Sequence, residues 1–178
     1  MDTLKPVVFL FPVIALILVS LLFTYSKRKA TDKKLFNKFV FFITMLAFLL
    51  NFTWEILQMP LYDSSSFSIN HILYCAIGAI ADTIMVLLLY FGFTVIFKNI
   101  YWIELLKWEQ ISILVLTGGI GAILSEIRHL SLGNWAYSDS MPIIPFFNVG
   151  LSPILQFMVL PALIYTLSFY CLKTTSNK

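Results

Sequence analysis

The sequence predicts an all-α bundle of about five transmembrane helices, built by one integral membrane domain over residues 1–178. Composition is the first reason, because 60% of the residues are hydrophobic and only 12% are charged, too apolar a balance for a soluble domain. The mean hydropathy of +0.89 agrees. Length is the second reason, because about 20 apolar residues in a helix cross the hydrocarbon core. Segments of this kind lie at residues 6–25, 39–61, 71–97, 111–127 and 148–172.

The first segment differs from a cleavable signal peptide. Its N-terminal flank carries Asp2 and only one basic residue, Lys5, and no A-x-A site follows the apolar stretch. We therefore expect it to remain in the protein as the first spanning helix.

Basic residues indicate how the bundle is oriented, since cytoplasmic loops collect Lys and Arg. The first connector holds six of them, the third connector two and the C-terminal tail two, which makes ten on one predicted side. The other side holds two, Lys5 and Arg128. We expect the N-terminus outside and the C-terminus inside. The cluster from Lys27 to Lys34 would also suit anionic lipid, but topology alone accounts for it.

Polar residues interrupt the apolar spans, and on each span they share one face. At 100° per residue, the spacing i, i+4, i+7, i+11 keeps four side chains within about 60° of one another. The second and third spans both have this spacing, and a short loop joins them, so we expect their polar faces to meet. The residues on these faces are Asn51, Glu55, Gln58 and Tyr62 on the second span, His71, Cys75, Gly78 and Asp82 on the third, Gly119, Ala122 and Glu126 on the fourth, and Asn148, Ser152 and Gln156 on the fifth.

Nearly all of these residues fall in the predicted outer half of the bundle, with Asp82 about 16 Å below His71 at the helical rise per residue. The following outer loop, from Arg128 to Phe147, is rich in aromatic residues, including Trp135 and Tyr137. Such a loop is typical of the membrane interface. The sequence therefore predicts a polar cavity that opens toward the outer leaflet and is roofed by this loop.

Each feature also has a purely structural interpretation. Polar amides can hold helices together, aromatic residues such as Trp54 can form an interfacial belt, His71 can cap a helix, and Glu126 with Arg128 can form a surface ion pair. Glu55 and Asp82 are harder to explain in this way. An acidic residue at depth costs about 2.5 kcal/mol or more, and such residues usually mark function.

A carboxyl group in a low-dielectric cavity favours its neutral form, and a neutral carboxylic acid is a good proton donor. This chemistry suits protonation of an alkene or epoxide in a lipid-soluble substrate. The faces of nearby Trp and Tyr rings can stabilise the carbocation that develops.

Two short motifs carry a family resemblance. Asn51-Phe52-Thr53-Trp54-Glu55 resembles the W-E motif of the small polytopic terpene cyclases of fungal meroterpenoid and indole-diterpene pathways. The resemblance implies that Glu55 protonates the substrate. Gly133-Asn134-Trp135-Ala136-Tyr137, followed by Leu151-Ser152-Pro153, is similar to the W-x-Y loop and next helix of membrane lycopene cyclases. The fungal enzymes have about seven spans, however, and the lycopene cyclases have acids where this chain has Ile154, Leu155 and Gln156.

The leading hypothesis is a cofactor-independent cyclase or isomerase for an isoprenoid or lipid-like ligand. Its candidate catalytic residues are Glu55, Asp82 and Glu126, and its candidate substrate-binding residues are Asn51, Trp54, Gln58, Tyr62, His71, Arg128, Trp135, Tyr137, Asn148 and Gln156. Two alternatives stay open. The same acids could bind a cationic amphiphile or relay protons in a non-catalytic binding or transport protein, or the polar residues could serve packing in a structural membrane subunit.

The sequence contains no P-loop, no dinucleotide fingerprint and no His pair with metal-ligand spacing. We therefore expect no cofactor, no metal and no nucleic-acid partner. The expected partners are the lipid bilayer and a hydrophobic small molecule, and glycine-lined helix faces leave room for a homodimer. The chain also resembles small bacterial integral membrane proteins with W-E and W-x-Y elements, which implies a multi-pass protein of the cell membrane, in a bacterium the inner one.

Reporter fusions test the predicted orientation. Alkaline phosphatase fused after Ser66 should be active, because that loop is expected outside the cell, and inactive after Asn99. A fluorescent protein that matures only in the cytoplasm should give the reverse pattern. The opposite result for both reporters would show that the charge bias does not set the topology.

Overall fold

The computed structural model describes residues 10–63 and 65–176, and it contains five long helices in that part of the chain. All five are long and apolar enough to cross a membrane. The predicted all-α transmembrane bundle is therefore confirmed, and the chain has the architecture of a multi-pass integral membrane protein. The helices are α1 (Leu10–Lys29), α2 (Lys33–Gln58), α3 (Ile69–Phe97), α4 (Trp108–Ser131) and α5 (Leu151–Ser176).

Helix α2 begins six residues before the predicted start at residue 39. Asp32 caps it, because its Oδ1 accepts hydrogen bonds from the backbone N–H groups of Lys34 and Leu35 at 2.8 and 2.9 Å. Ser68 caps α3 in the same way through the N–H of His71. Polar caps lie outside the apolar run, so a prediction based on the apolar run alone starts the helix too late. For α1, the predicted residues 6–9 lie outside the described part of the chain.

Helix α5 begins at Leu151 rather than at the predicted residue 148. Just before α5 the chain forms a small antiparallel hairpin of β1 (Ile143–Ile144) and β2 (Val149–Gly150). Asn148 lies in its turn with a φ of 53°, a left-handed conformation that Asn tolerates better than most residues. The prediction that Asn148 shares a helical face with Ser152 and Gln156 is therefore wrong.

Tyr62 also leaves the helical face on which it was predicted. After Gln58 the chain tightens into a short 3-10 turn, Met59–Leu61, which contains Pro60. Tyr62 then adopts an extended conformation and pairs with Tyr137 in an isolated antiparallel bridge. The proline ends the α-helix because it cannot donate the next backbone hydrogen bond.

Helix α2 lies between α3 and α5, while α1 packs along α3 and α4 packs along α5. A large aromatic core fills the end of the bundle where α2 begins and α3 ends. Phe39 contacts Tyr90 edge to face at 5.6 Å, and Trp102 contacts Tyr165 at 5.7 Å. The Tyr165 hydroxyl donates to the Val86 carbonyl at 2.6 Å, which satisfies its polar atom inside the core. This aromatic core packs the helices at one end of the bundle, and the buried acids with their amide partners lie at the other end.

Gly118 allows α4 to approach α5 closely. A Cβ atom at this position would lie 2.1 Å from the carbonyl oxygen of Phe157, whereas a Cβ at Gly121 would meet nothing within 4 Å. Small residues commonly permit such contacts between transmembrane helices.

Alanine substitutions at these two glycines test the packing of α4. Gly118→Ala should destabilise the protein by roughly 1–3 kcal/mol, because the backbone of α5 must move to admit the methyl group. Gly121→Ala, the matched control on the same helix, should be neutral or stabilising, since alanine favours the helix. Unfolding of the purified protein in detergent, followed by circular dichroism, measures both. Equal stability of the two variants would contradict the close approach.

Candidate functional site

The side-chain amide of Gln156 is the centre of a buried polar network. Its Nε2 donates to Asp82 Oδ2 at 2.8 Å and to Asn51 Oδ1 at 2.9 Å, and its Oε1 accepts from Gln58 Nε2 at 3.3 Å. Gln156 is only 2% exposed. One side chain of α5 therefore connects α2 and α3, and it uses both amide hydrogens and the amide oxygen to do so.

Gln58 extends the network to Glu55. Its Nε2 also donates to Glu55 Oε1 at 2.9 Å, and its Oε1 accepts from the Ser152 hydroxyl at 2.9 Å. The same hydroxyl accepts a hydrogen bond from the indole N–H of Trp54 at 3.3 Å. These contacts hold one oxygen of the Glu55 carboxyl group and orient the Trp54 ring.

The expected contact between the polar faces of α2 and α3 is present. Gly78 leaves space for Glu55, whose carboxyl carbon lies 3.6 Å from the position that a Cβ would occupy there. Cys75 Sγ lies 3.8 Å from the Glu55 backbone carbonyl. Two amides link the carboxyl group of Glu55 to that of Asp82: Gln58 Nε2 donates to Glu55 Oε1 and to Gln156 Oε1, and Gln156 Nε2 donates to Asp82 Oδ2. The small residues on α3 therefore let two acids approach inside the bundle.

Glu126 receives its hydrogen bonds from the loop that follows α4. The indole N–H of Trp135 donates to Glu126 Oε2 at 3.2 Å, and the Tyr137 hydroxyl donates to the same oxygen. Burial, together with this hydrogen bond, raises the pKa of Tyr137 above its ordinary value, so its hydroxyl keeps its proton and remains a donor. The predicted loop thus folds back over the acid of α4.

The loop is also attached to the end of α2. The backbone N–H of Asp63 donates to the Ala136 carbonyl at 2.9 Å, and that of Ser138 donates to the Leu61 carbonyl at 3.0 Å. The Tyr62 ring lies 5.6 Å from the Tyr137 ring. Backbone and ring contacts together fix the loop between α2 and α4.

Three acids on three helices therefore belong to one polar site. The loop after α4 joins Glu126 to the end of α2, because the Tyr137 hydroxyl donates to Glu126 Oε2 and the Tyr137 ring lies 5.6 Å from the Tyr62 ring. The hydrogen-bond donors to the three carboxyl groups are neutral: two glutamine amides, an indole and a phenol. Such a site can donate or accept a proton, or attract a cation. Within residues 10–63 and 65–176, no three His, Cys, Asp or Glu side chains are grouped to hold a metal ion.

Three of the thirteen candidate residues lie apart from this network. His71 Nδ1 lies 2.9 Å from Ser66 Oγ at the start of α3, the Arg128 guanidinium lies over the Phe11 ring at 4.4 Å, and Asn148 lies exposed in the hairpin turn. The structure brings the other ten together: Asn51, Trp54, Glu55, Gln58, Tyr62, Asp82, Glu126, Trp135, Tyr137 and Gln156. Their functional roles stay a prediction.

His129 and Asn134 were not among the candidates, yet they support the loop. The His129 ring stacks on Trp135 with a centroid distance of 4.3 Å, and Asn134 Nδ2 lies 2.7 Å from His129 Nδ1. His129 is one turn beyond Glu126 on α4, and this spacing was the signal that could have identified it.

Comparison with protein-family models, with characterised proteins and with solved structures gives no match for this chain. The resemblance to membrane terpene cyclases therefore stays a prediction that depends on the W-E and W-x-Y motifs.

Replacing Gln156 tests whether the network holds the helices together. Gln156→Met conserves approximate volume but leaves Asp82, Asn51 and Gln58 without their partner, so we expect a loss of roughly 1–3 kcal/mol in unfolding free energy. Thr166→Val is the control on α5, because the exposed Thr166 hydroxyl bonds only the carbonyl of Ala162 in its own helix. Unfolding in detergent measures both variants. A Gln156→Met protein as stable as the control would contradict a structural role for the network.

Proposed function

We propose that this polar site binds a hydrophobic, isoprenoid or lipid-like molecule taken from the bilayer, and that Glu55 protonates it in a cofactor-independent cyclisation or isomerisation. The observation that carries the proposal is the hydrogen-bonded link from Glu55 through Gln58 and Gln156 to Asp82 inside an apolar bundle, in which a glutamine amide holds each carboxyl group through one oxygen. An acid held in this way keeps its other oxygen for a substrate.

The two acids can divide the chemistry. Glu55 in its neutral form donates its proton to an alkene or epoxide of the substrate, which leaves a carbocation and a Glu55 carboxylate. A neighbouring base then removes a proton from another carbon of the cation to form the product alkene. Asp82 is the candidate base for this step, because Gln58 and Gln156 link it to Glu55, and return of that proton to Glu55 completes the cycle. The reaction consumes no net proton and needs no oxidant or reductant.

Aromatic side chains around the acids suit a cationic intermediate. Trp54 is oriented through Ser152, and the rings of Tyr62, Trp135 and Tyr137 contact one another beside Glu126. A cation over the face of such a ring gains about 0.5–2 kcal/mol, more when water is excluded. These rings would form one wall of the predicted cavity.

Helix packing supports entry of the ligand from the lipid. Helix α4 packs along α5 and α1 packs along α3, and the Arg128 guanidinium of α4 lies over the Phe11 ring of α1. The boundary between α1 and α4 is the proposed route for a bilayer-soluble molecule.

The same features also favour a binding or transport protein for a cationic amphiphile. Three acids with neutral partners attract a cation, and aromatic faces recognise substituted ammonium groups. In that function the ligand would leave chemically unchanged.

Substitution of Glu55 distinguishes these functions. Glu55→Gln keeps an oxygen that can accept the Gln58 hydrogen bond but removes the transferable proton, so we expect product formation to fall by about 100-fold or more while the protein still folds. Untargeted mass spectrometry of lipid extracts and of the purified protein is the measurement. Glu109→Gln, an exposed change at the start of α4, is the control.

Three outcomes of this experiment distinguish catalysis, binding and neither function. A product formed by wild type and by the Glu109→Gln protein but lost in Glu55→Gln supports acid catalysis. A co-purifying molecule lost in Glu55→Gln, with no chemical product from wild type, supports binding or transport instead. Unchanged products and unchanged co-purifying lipids in the Glu55→Gln protein would exclude both functions for this site.

A further inference from the structure

A second polar feature lies at the opposite end of the bundle, away from the acids. It is a cleft of about 830 Å³ where the α1–α2 connection meets the α3–α4 connection. Its lining combines charged and hydroxyl groups with aliphatic side chains. The lining includes Ser26, Lys29, Asp32, Leu35, Val95 and Lys98.

Two lysines give the cleft a positive balance. Lys29 ends α1 and contacts the Tyr25 hydroxyl, and Lys98 ends α3 in a left-handed conformation with a φ of 52°. Asp32 is the acid of the lining, but its Oδ1 already accepts two backbone hydrogen bonds at the start of α2. Burial and the Asp32 carboxylate raise the pKa of Tyr101, so its hydroxyl keeps its proton. An anion is therefore the better match for this cleft.

The hydroxyl of Ser26 is the independent sign of a ligand. Ser26 is 1% exposed, lines the cleft, and its Oγ has no hydrogen-bond partner among the described residues. A buried hydroxyl without a partner is costly and uncommon in folded proteins. An acceptor atom of a ligand in the cleft would satisfy it.

The aliphatic part of the lining indicates what kind of anion binds. Leu35, Val95 and Ile100 line the same cleft as the two lysines, at the ends of spanning helices. The ends of spans lie at the level of lipid headgroups, where phosphate and acyl chain are separated by a short distance. A soluble phosphate would contact only the lysines. A phospholipid would contact the lysines through its phosphate and the aliphatic side chains through its acyl chain.

We propose that this cleft binds the phosphate group of an anionic glycerophospholipid between Lys29 and Lys98. The Ser26 hydroxyl donates to a phosphate or ester oxygen, and the first part of an acyl chain lies along Leu35 and Val95. With the orientation that the basic residues predict, the lipid belongs to the inner leaflet. The site is separate from the acid cluster and does not depend on the function proposed there.

Lipid titration of the purified, delipidated protein tests the proposal. Dioleoylphosphatidylglycerol is added in detergent, and bound lipid is counted by native mass spectrometry. Lys98→Asn removes the charge with a residue that tolerates the left-handed conformation, and Ser26→Ala removes the unpartnered hydroxyl. Lys33→Gln is the matched control, because Lys33 is exposed, begins α2 and does not line the cleft.

We expect Lys98→Asn to weaken the first lipid-binding event about tenfold, as loss of one charge-assisted contact to phosphate does. Ser26→Ala should weaken it by a smaller factor and should leave the stability of the lipid-free protein unchanged or higher. Lys33→Gln should bind lipid like wild type. Equal weakening by Lys33→Gln and Lys98→Asn, or no effect of Ser26→Ala, would overturn the proposal, and so would displacement of the lipid by millimolar inorganic phosphate.

Discussion

The structure depends on one constraint, which is that polar groups inside an apolar bundle must find partners within the protein. Gln156 meets this constraint for three helices at once, because its amide bonds Asp82, Asn51 and Gln58. The network fixes the rotation of α2, α3 and α5 relative to one another, since a turn of any of them would leave a buried amide or carboxyl group unpaired. The acids can remain at this depth because the amides hold them.

The bundle separates its aromatic core from its buried acids. Aromatic packing around Phe39, Tyr90, Trp102 and Tyr165 fills one end, and the acids with their amide partners occupy the other. Area burial and ring packing stabilise the aromatic end. The polar end needs specific distances and angles, and it obtains them from helices already held in place.

The loop after α4 has a comparable role on the other side of the site. Trp135 and Tyr137 bond Glu126, while backbone pairing near Tyr62 and Ser138 ties the loop to α2. Glu126 thereby receives its hydrogen bonds from a segment that is not helical. Burial keeps Tyr137 protonated, so the phenol serves as a donor over the ordinary pH range.

The five spans could be predicted from the amino-acid sequence, because helical periodicity and the thickness of the bilayer are local constraints. The same periodicity predicted the faces on which Asn51, Glu55, Gln58, Asp82 and Gln156 lie. The partners of each acid, and the departures of Tyr62 and Asn148 from their helices, could be found only in the folded bundle. The proline turn at Pro60 and the hairpin around Asn148 are local features that helical periodicity does not record. The partners of the acids and the bridge between Tyr62 and Tyr137 depend on contacts between residues far apart in the chain.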